Sequence, residues 1–347
     1  MANYTTFIKM KFILRLIFLL VCLYSCSDII EDQETFKYDT EVIAVFTPKG
    51  IGNQSNAGLI YKGIVGATES LGLAFHPIFP YTYEEGEEII AQLVSGNQKG
   101  RKRLIISTDP EYSDYLNEIA SKGQIADSDS TKLLVLDGDI VHPNVYTAYV
   151  PFYGLMYKAG YVASKMSDVS NAKIYLANYK YRYMREGHDG FVDAFTQNEG
   201  KYVDVVDFSL INDDNTEGFN KSTIAYIYDA QECSDFYDIV LPICGETIMG
   251  FLRYNREFPG SFYTIGVEND MSVYSSDVPF SCVEHLDKVV SSCIADWADD
   301  KLEHFRTFGL EDNWVELVIS ENYRTLLEPL SKEIHNRAIE MEATYAN

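Results

Sequence analysis

Hydrophobic and polar positions along this chain alternate between two rhythms, and the alternation begins at Glu41. Residues 42–46 are a short β-branched and aromatic run, the pattern of a strand buried on both faces. A turn rich in Gly and Asn follows, and then Ile60, Ile64, Ala67 and Leu71 recur at the spacing of one helix face. The same exchange predicts strands at 73–78, 104–107, 132–136 and 145–150, with helices over 83–94 and from about Glu111. It then restarts. Helices are predicted at 153–166, about 185–197, about 217–228, 245–255 and 285–300, and strands at 172–177, 202–208, 238–241, 262–267 and 314–319. A long terminal helix carries Leu327, Leu330, Ile334, Ala338 and Met341 as one apolar stripe. Strands alternating with helices predict an α/β fold whose mostly parallel sheets are covered by helices. Two successive units of similar size predict two lobes, although no internal sequence repeat is found.

The N-terminus breaks this rhythm. Lys9, Lys11 and Arg15 precede an uninterrupted apolar run at 16–23. A basic start and a short apolar stretch read as a secretory signal, since eight residues cannot cross about 30 Å of hydrocarbon. Leu23-Tyr24-Ser25-Cys26 resembles a lipobox, so cleavage is expected before Cys26, with lipid on that cysteine and residues 26–40 as an acidic tether. The expected location is the cell envelope, with the outer membrane or the periplasmic face favoured over the cytoplasmic membrane. Charge narrows the partners. The formal net charge is −24, which argues against nucleic acid, because that partner needs a positive surface. Cys233, Cys244, Cys282 and Cys293 remain in the body, where the envelope permits disulfides and buried free thiols are equally compatible. Their spacing matches no zinc motif, and neither metal nor cofactor is expected.

In sheets of this kind ligands sit at the carboxyl ends of strands, so the residues there are the candidates. The loop after the first strand offers Gly52, Asn53, Ser55 and Asn56 at a helix start, where exposed amides hold an anion or a hydroxyl, and Ser55 serves equally as a plain N-cap. It lacks both dinucleotide and nucleotide-phosphate fingerprints. Asp109 and Tyr112 follow the third strand and Asp137 the fourth, where either acid also suits a cap. Tyr179, Tyr181 and Tyr183 cluster with Arg182 and Arg185, either to stack on a ligand or to pack the lobe surface. Gly245 and Glu246 follow a strand of the second lobe. Glu268 and Asp270 follow residues 262–267, where a carboxylate accepts two hydrogen bonds at once, or else caps a turn.

Four stretches, taken in order, resemble the basic-membrane-protein family of envelope lipoproteins, which includes purine-nucleoside receptors of ABC transporters. They are Gly50-Ile51 through Ser55 to Tyr61-Lys62-Gly63; Phe152-Tyr153-Gly154 with Ala159-Gly160-Tyr161; Arg182 to Arg185 with Gly190-Phe191; and Ile265-Gly266-Val267-Glu268-Asn269-Asp270. The resemblance implies a type 1 periplasmic-binding-protein fold, a nucleoside or sugar in an interlobe cleft, and an ABC permease or an envelope signalling partner. With that architecture the chain divides into lobe 1 at 41–145 plus 271–320, lobe 2 at 146–270 and a C-terminal helix at 321–347. Three departures stand out. Asn56-Ala57 replaces the family's Phe-Asn, Glu268 replaces its ribose-holding aspartate, and Glu284 stands near its lysine. Catalysis is not expected: GxSxG, HExxH and CxxC are all missing, and the paired acids Glu84-Glu85 and Glu87-Glu88 fall on a solvated helix face.

Overall fold

The computed structural model describes residues 40–48, 50, 56–95, 101–126, 128–166, 168–210 and 222–345. The expected signal, Cys26, the tether and the loop residues Gly52, Asn53 and Ser55 lie outside the described residues. No helix among the described residues is long and apolar enough to cross a membrane.

The first sheet has six parallel strands: β1 (Thr40–Val45), β2 (Ala74–Ile78), β3 (Lys102–Ser107), β4 (Thr131–Leu136), β5 (Tyr146–Tyr149) and β12 (Phe305–Thr307). Their order is β12-β5-β4-β3-β1-β2. Strands β1, β3 and β4 are nearly continuous buried runs, as a sheet covered on both faces requires. Helix α1 (Asn56–Leu71) buries Ile60, Ile64 and Ala67 as the stripe predicts, whereas Leu71 is exposed at its end. Helices α2 (Tyr83–Ser95) and α3 (Ser113–Ser121) follow β2 and β3.

After β5 the chain enters α4 (Tyr153–Ser164), a helix buried on every side except at Tyr161. It lies against α5 (Arg182–Phe195) at a distance only glycine permits. A Cβ on Gly190 would stand 2.3 Å from the Tyr153 carbonyl, and one on Gly160 would stand 2.4 Å from that of Phe191. A second parallel sheet runs β7-β6-β8-β9, from β6 (Asn171–Leu176), β7 (Tyr202–Asp207), β8 (Ile239–Ile243) and β9 (Tyr263–Thr264). The helical run before β8 consists of Ser222–Ile224, a π-helical stretch Ala225–Asp229 and α6 (Ala230–Phe236), and α7 (Ile248–Glu257) follows β8.

Sequence and structure part at 262–267. The expected single strand is broken at Ile265, which gives β9 to the second sheet and β10 (Gly266–Glu268) to a third. There β10 pairs in parallel with β11 (Phe280–Glu284), and β11 pairs antiparallel with β13 (Val315–Ile319). Strands β11 and β12 have no counterpart in the sequence reading. The expected cut of the chain does not follow these hydrogen bonds. Tyr146–Tyr149 belongs to the six-stranded sheet, while Phe280–Glu284 bonds with β10 and Val315–Ile319 bonds with Phe280–Glu284. The reason is physical: a pattern of apolar residues identifies a strand but not its partner. Helix α8 (Leu286–Ala298) returns to α1, where the Ser291 hydroxyl donates to the Gly63 carbonyl at 3.0 Å. The terminal helix α9 (Arg324–Tyr345) packs on α4, stacking Tyr345 on Tyr153 with centroids 4.1 Å apart. All four cysteines of the body are free and buried.

Candidate functional site

Strand ends from all three sheets converge on one cavity of about 150 Å³. Its walls take Thr47 and Gly50 from beyond β1, Asp109 and Glu111 from beyond β3, Asp137 from beyond β4, Tyr181 and Tyr183 from beyond β6, and Gly245 and Glu246 from beyond β8. Glu268 ends β10, and the starts of α1 and α8 close the space with Asn56 and Leu286. These are the carboxyl ends of strands, the place where parallel sheets present their ligands. Four of the lining residues have a left-handed backbone, Gly50 (φ 84°), Asp137 (φ 51°), Gly245 and Glu268. Gly245 has φ 54°, which glycine adopts without cost, and Glu268 has φ 71°, which costs a side-chain-bearing residue strain.

Glu268 is buried, and its carboxylate accepts the backbone N–H of Asn56, an otherwise unpaired donor of the first turn of α1. Burial pushes its carboxyl up to about 7, the Asn56 amide opposes this, and nearby Glu246 adds to the rise. Glu284 ends β11 just behind Asn56, whose side-chain amide donates to it at 3.4 Å. Burial, Asp137 and Glu268 hold the Glu284 carboxyl well above the usual carboxylate range. The other amide atom of Asn56, Oδ1, is buried without a partner. Tyr183 sits among four acids. Burial first, then Glu268, Asp109, Glu284 and Asp137, drives its phenol far above its ordinary value, so it remains a neutral hydroxyl.

Other predicted residues have different roles. Asp109 lines the cavity and also accepts the Glu111 N–H at 2.9 Å and the Tyr83 hydroxyl at 3.2 Å, so it is both wall and cap. Tyr112 does not face the cavity. It is fully buried in the core between β3 and α3, and its hydroxyl donates to the Phe46 carbonyl at 3.0 Å. Asp270 is exposed and holds the Ser272 N–H at 3.0 Å, the turn-capping alternative. Arg182 is committed elsewhere. Its guanidinium donates to Asp137 Oδ1 at 2.5 Å and to Glu186 Oε1 at 2.5 Å, and lies 4.3 Å over the Tyr149 ring. Burial works against this cation, but Asp137 and Glu186 more than restore it, so its proton is held more tightly than usual. Of the three clustered tyrosines, Tyr181 and Tyr183 face the cavity, while half-exposed Tyr179 bonds Asp189 on the surface.

Sequence reasoning passed over Thr47 and Glu111 as individual wall residues, although each lies within three residues of a strand end or a predicted site residue. Position relative to the strand end was the available signal. Among the described residues no cluster of His, Cys, Asp and Glu has the arrangement to hold a metal ion.

This architecture recurs in solved proteins. A solute-binding protein of an ABC transporter system from Aeropyrum pernix K1 is similar, with a TM-score of 0.64 at 14% identity, covering 88% of this chain and 85% of that one. A transcriptional activator of the comK gene from Bacillus halodurans is similar at 18% identity with a TM-score of 0.61, covering 85% and 97%. GanP, a glucose-galactose binding protein from Geobacillus stearothermophilus, gives a TM-score of 0.59 at 14% identity, covering 81% and 97%. At these identities the likeness is one of fold, the two-lobe periplasmic-binding-protein architecture. No curated protein sequence matches the chain. The family model described as ABC transporter substrate-binding protein, PnrA-like, matches residues 40–345. That match spans nearly the whole described body, and the chain belongs to this family of solute-binding proteins rather than enzymes.

Proposed function

We propose that the cavity receives a small hydroxyl-bearing solute, a nucleoside first and a sugar second, for delivery to an ABC permease. The observation that carries this reading is Glu268. Its carboxylate stands at a strand end, in a strained left-handed conformation, at the position where the resemblance puts a ribose-holding aspartate. Strain retained at a cavity wall is a common mark of a binding site. The aromatic ring missing at Asn56-Ala57 has a substitute across the cavity, because Tyr181 and Tyr183 offer faces on which a base or sugar can stack. Glu246 and Asn56 add polar groups, and Gly245 lets the backbone approach closely.

We further propose closure over ligand of two lobes, 40–150 with 286–308 and 151–284 with 315–345, a division supported by the pairing of β12 with β5 and of β11 with β10 and β13. The resemblance further supports a lipid anchor at Cys26 and residence in the cell envelope. Thermal-shift screening of nucleosides and sugars tests the solute reading. A ligand at about 100 times its dissociation constant stabilises by about 2.7 kcal/mol, a readily measured shift. A shift within one class supports the reading, and no shift from either class removes it. Cys26→Ser should release the protein from membranes. Membrane retention unchanged by that substitution would remove the anchor.

A further inference from the structure

A separate cavity of about 650 Å³ is lined by residues of α4, β13 and α9, away from the strand ends that build the cleft. Its volume is in the range of small-molecule sites. Helix α4 carries Lys158 into this wall among Leu155, Met156, Ala159 and Val162, all buried, and Lys158 itself is only 8% exposed. Its ammonium meets His335 Nδ1 of α9 at 3.3 Å, and that is its one hydrogen bond to a described residue. No described carboxylate stands in ion-pair reach of it. The acids nearby are taken: Glu316 holds His285 at 2.7 Å, Glu328 holds Lys332 at 2.6 Å, and Glu321 holds Arg324 at 2.7 Å.

We propose that this cavity is a second ligand site, for a small organic anion whose carboxylate or phosphate head rests on Lys158. A desolvated ammonium without a counter-ion is costly, so such a group either gives up its proton or acquires an anion. Burial lowers the pKa of Lys158, and burial together with Lys158 lowers that of His335. The neutral imidazole accepts from the ammonium, whose other two N–H groups face no described acceptor. An anion fills that place through charge-assisted hydrogen bonds, whereas a neutral ligand leaves the charge uncompensated. The opposite wall sets the rest of the ligand. Leu317, Val318 and Ile319 of β13 line the cavity, and β13 is an end strand of its sheet, so its outer edge has no neighbouring strand. An apolar body lying along this wall adds hydrophobic contact that a bare inorganic ion cannot make. The lysine head is a point charge, which takes carboxylate and phosphate alike.

The test titrates the full chain with benzoate, hexanoate and phenyl phosphate, with the neutral amides benzamide and hexanamide, and with inorganic phosphate. Calorimetry should show at least one organic anion binding about tenfold tighter or more than its amide or than inorganic phosphate. The same anion should shift the His335 ring signals in NMR of the wild type, a readout that needs no variant. Lys158→Met exchanges a buried charge for an apolar chain and should fold, while weakening the anion about tenfold or more. Lys158→Arg should restore part of that loss. Equal affinity for acid and amide overturns the proposal, as does anion binding that Lys158→Met leaves unchanged. Inorganic phosphate binding as tightly as every organic anion would mean an adventitious ion only, and no binding by any probe removes the site. Each of these outcomes leaves the cleft's solute reading standing, since that reading is judged by nucleosides and sugars alone.

Discussion

Two sets of carboxylates stand around one cavity, and the fold treats them oppositely. Asp137 and Glu186 share the Arg182 guanidinium, and Glu186 also accepts the Tyr149 hydroxyl at 2.9 Å and the Phe152 N–H at 2.8 Å. Every oxygen of Glu186 is therefore used, and the set ties the end of β4 to the start of α5. Among the described residues, Glu268 and Glu284 bond only the backbone and side-chain amides of Asn56. They are as deeply buried, but neither forms an ion pair with a described residue. The compensated set is a structural tie between β4 and α5, whereas the second set is held by amides. Burial alone does not separate the two roles; the presence of a counter-charge does.

Breaking the compensated set should have the largest effect. Arg182→Met leaves Asp137 and Glu186 buried without their cation, a loss of about 3–5 kcal/mol in urea unfolding. Adding Glu186→Gln should recover part of that loss, whereas additive or greater destabilisation would refute the tie.

The uncompensated set should respond to pH instead. Folding raises the Glu268 carboxyl from 4.5 to about 7, so the folded chain binds its proton more tightly. Stability from this group is therefore present at low pH and lost as pH rises from about 4.5 to about 7. Glu246 and Glu284 face the same group and steepen the fall. Glu268→Gln should remove this contribution and gain about 3 kcal/mol relative to the wild type above pH 7, with little difference near pH 4. Parallel stability curves for the two proteins would contradict the assignment.

The smallest expected effect sharpens the contrast from outside the cavity. Tyr112→Phe removes the donor to the Phe46 carbonyl and should cost about 1 kcal/mol by thermal unfolding. Ligand affinity should stay unchanged, since the ring packs behind the wall. A drop in affinity would return Tyr112 to the site.

These contrasts also show what was legible in the sequence. The buried runs of β1, β3 and β4 announce themselves, and strand ends point to Asp109, Tyr181, Gly245 and Glu268, which line the cavity. Partners are another matter. Arg182 reads as a ligand-binding residue because its neighbours in sequence are aromatic, while the acid that claims it lies 45 residues away. Phe280–Glu284 is buried throughout yet carries Ser281 and Glu284, so no apolar run marks it. Strand 262–267 reads as continuous because its apolar character does not stop where its pairing changes. Two of the motif glycines, Gly160 and Gly190, turn out to serve helix packing rather than ligand.

The central claim is that Glu268 holds the solute. Calorimetry of wild type, Glu268→Gln and Glu268→Asp, titrated with the best probe from the thermal-shift panel, tests it most directly. A charge-assisted hydrogen bond contributes roughly 1.5–3 kcal/mol, so Glu268→Gln should weaken binding at least about tenfold. Glu268→Asp should fall between the two if the longer reach matters. Affinities equal to the wild type in both variants, with only their stability altered, would show that Glu268 caps α1 and does not touch the ligand.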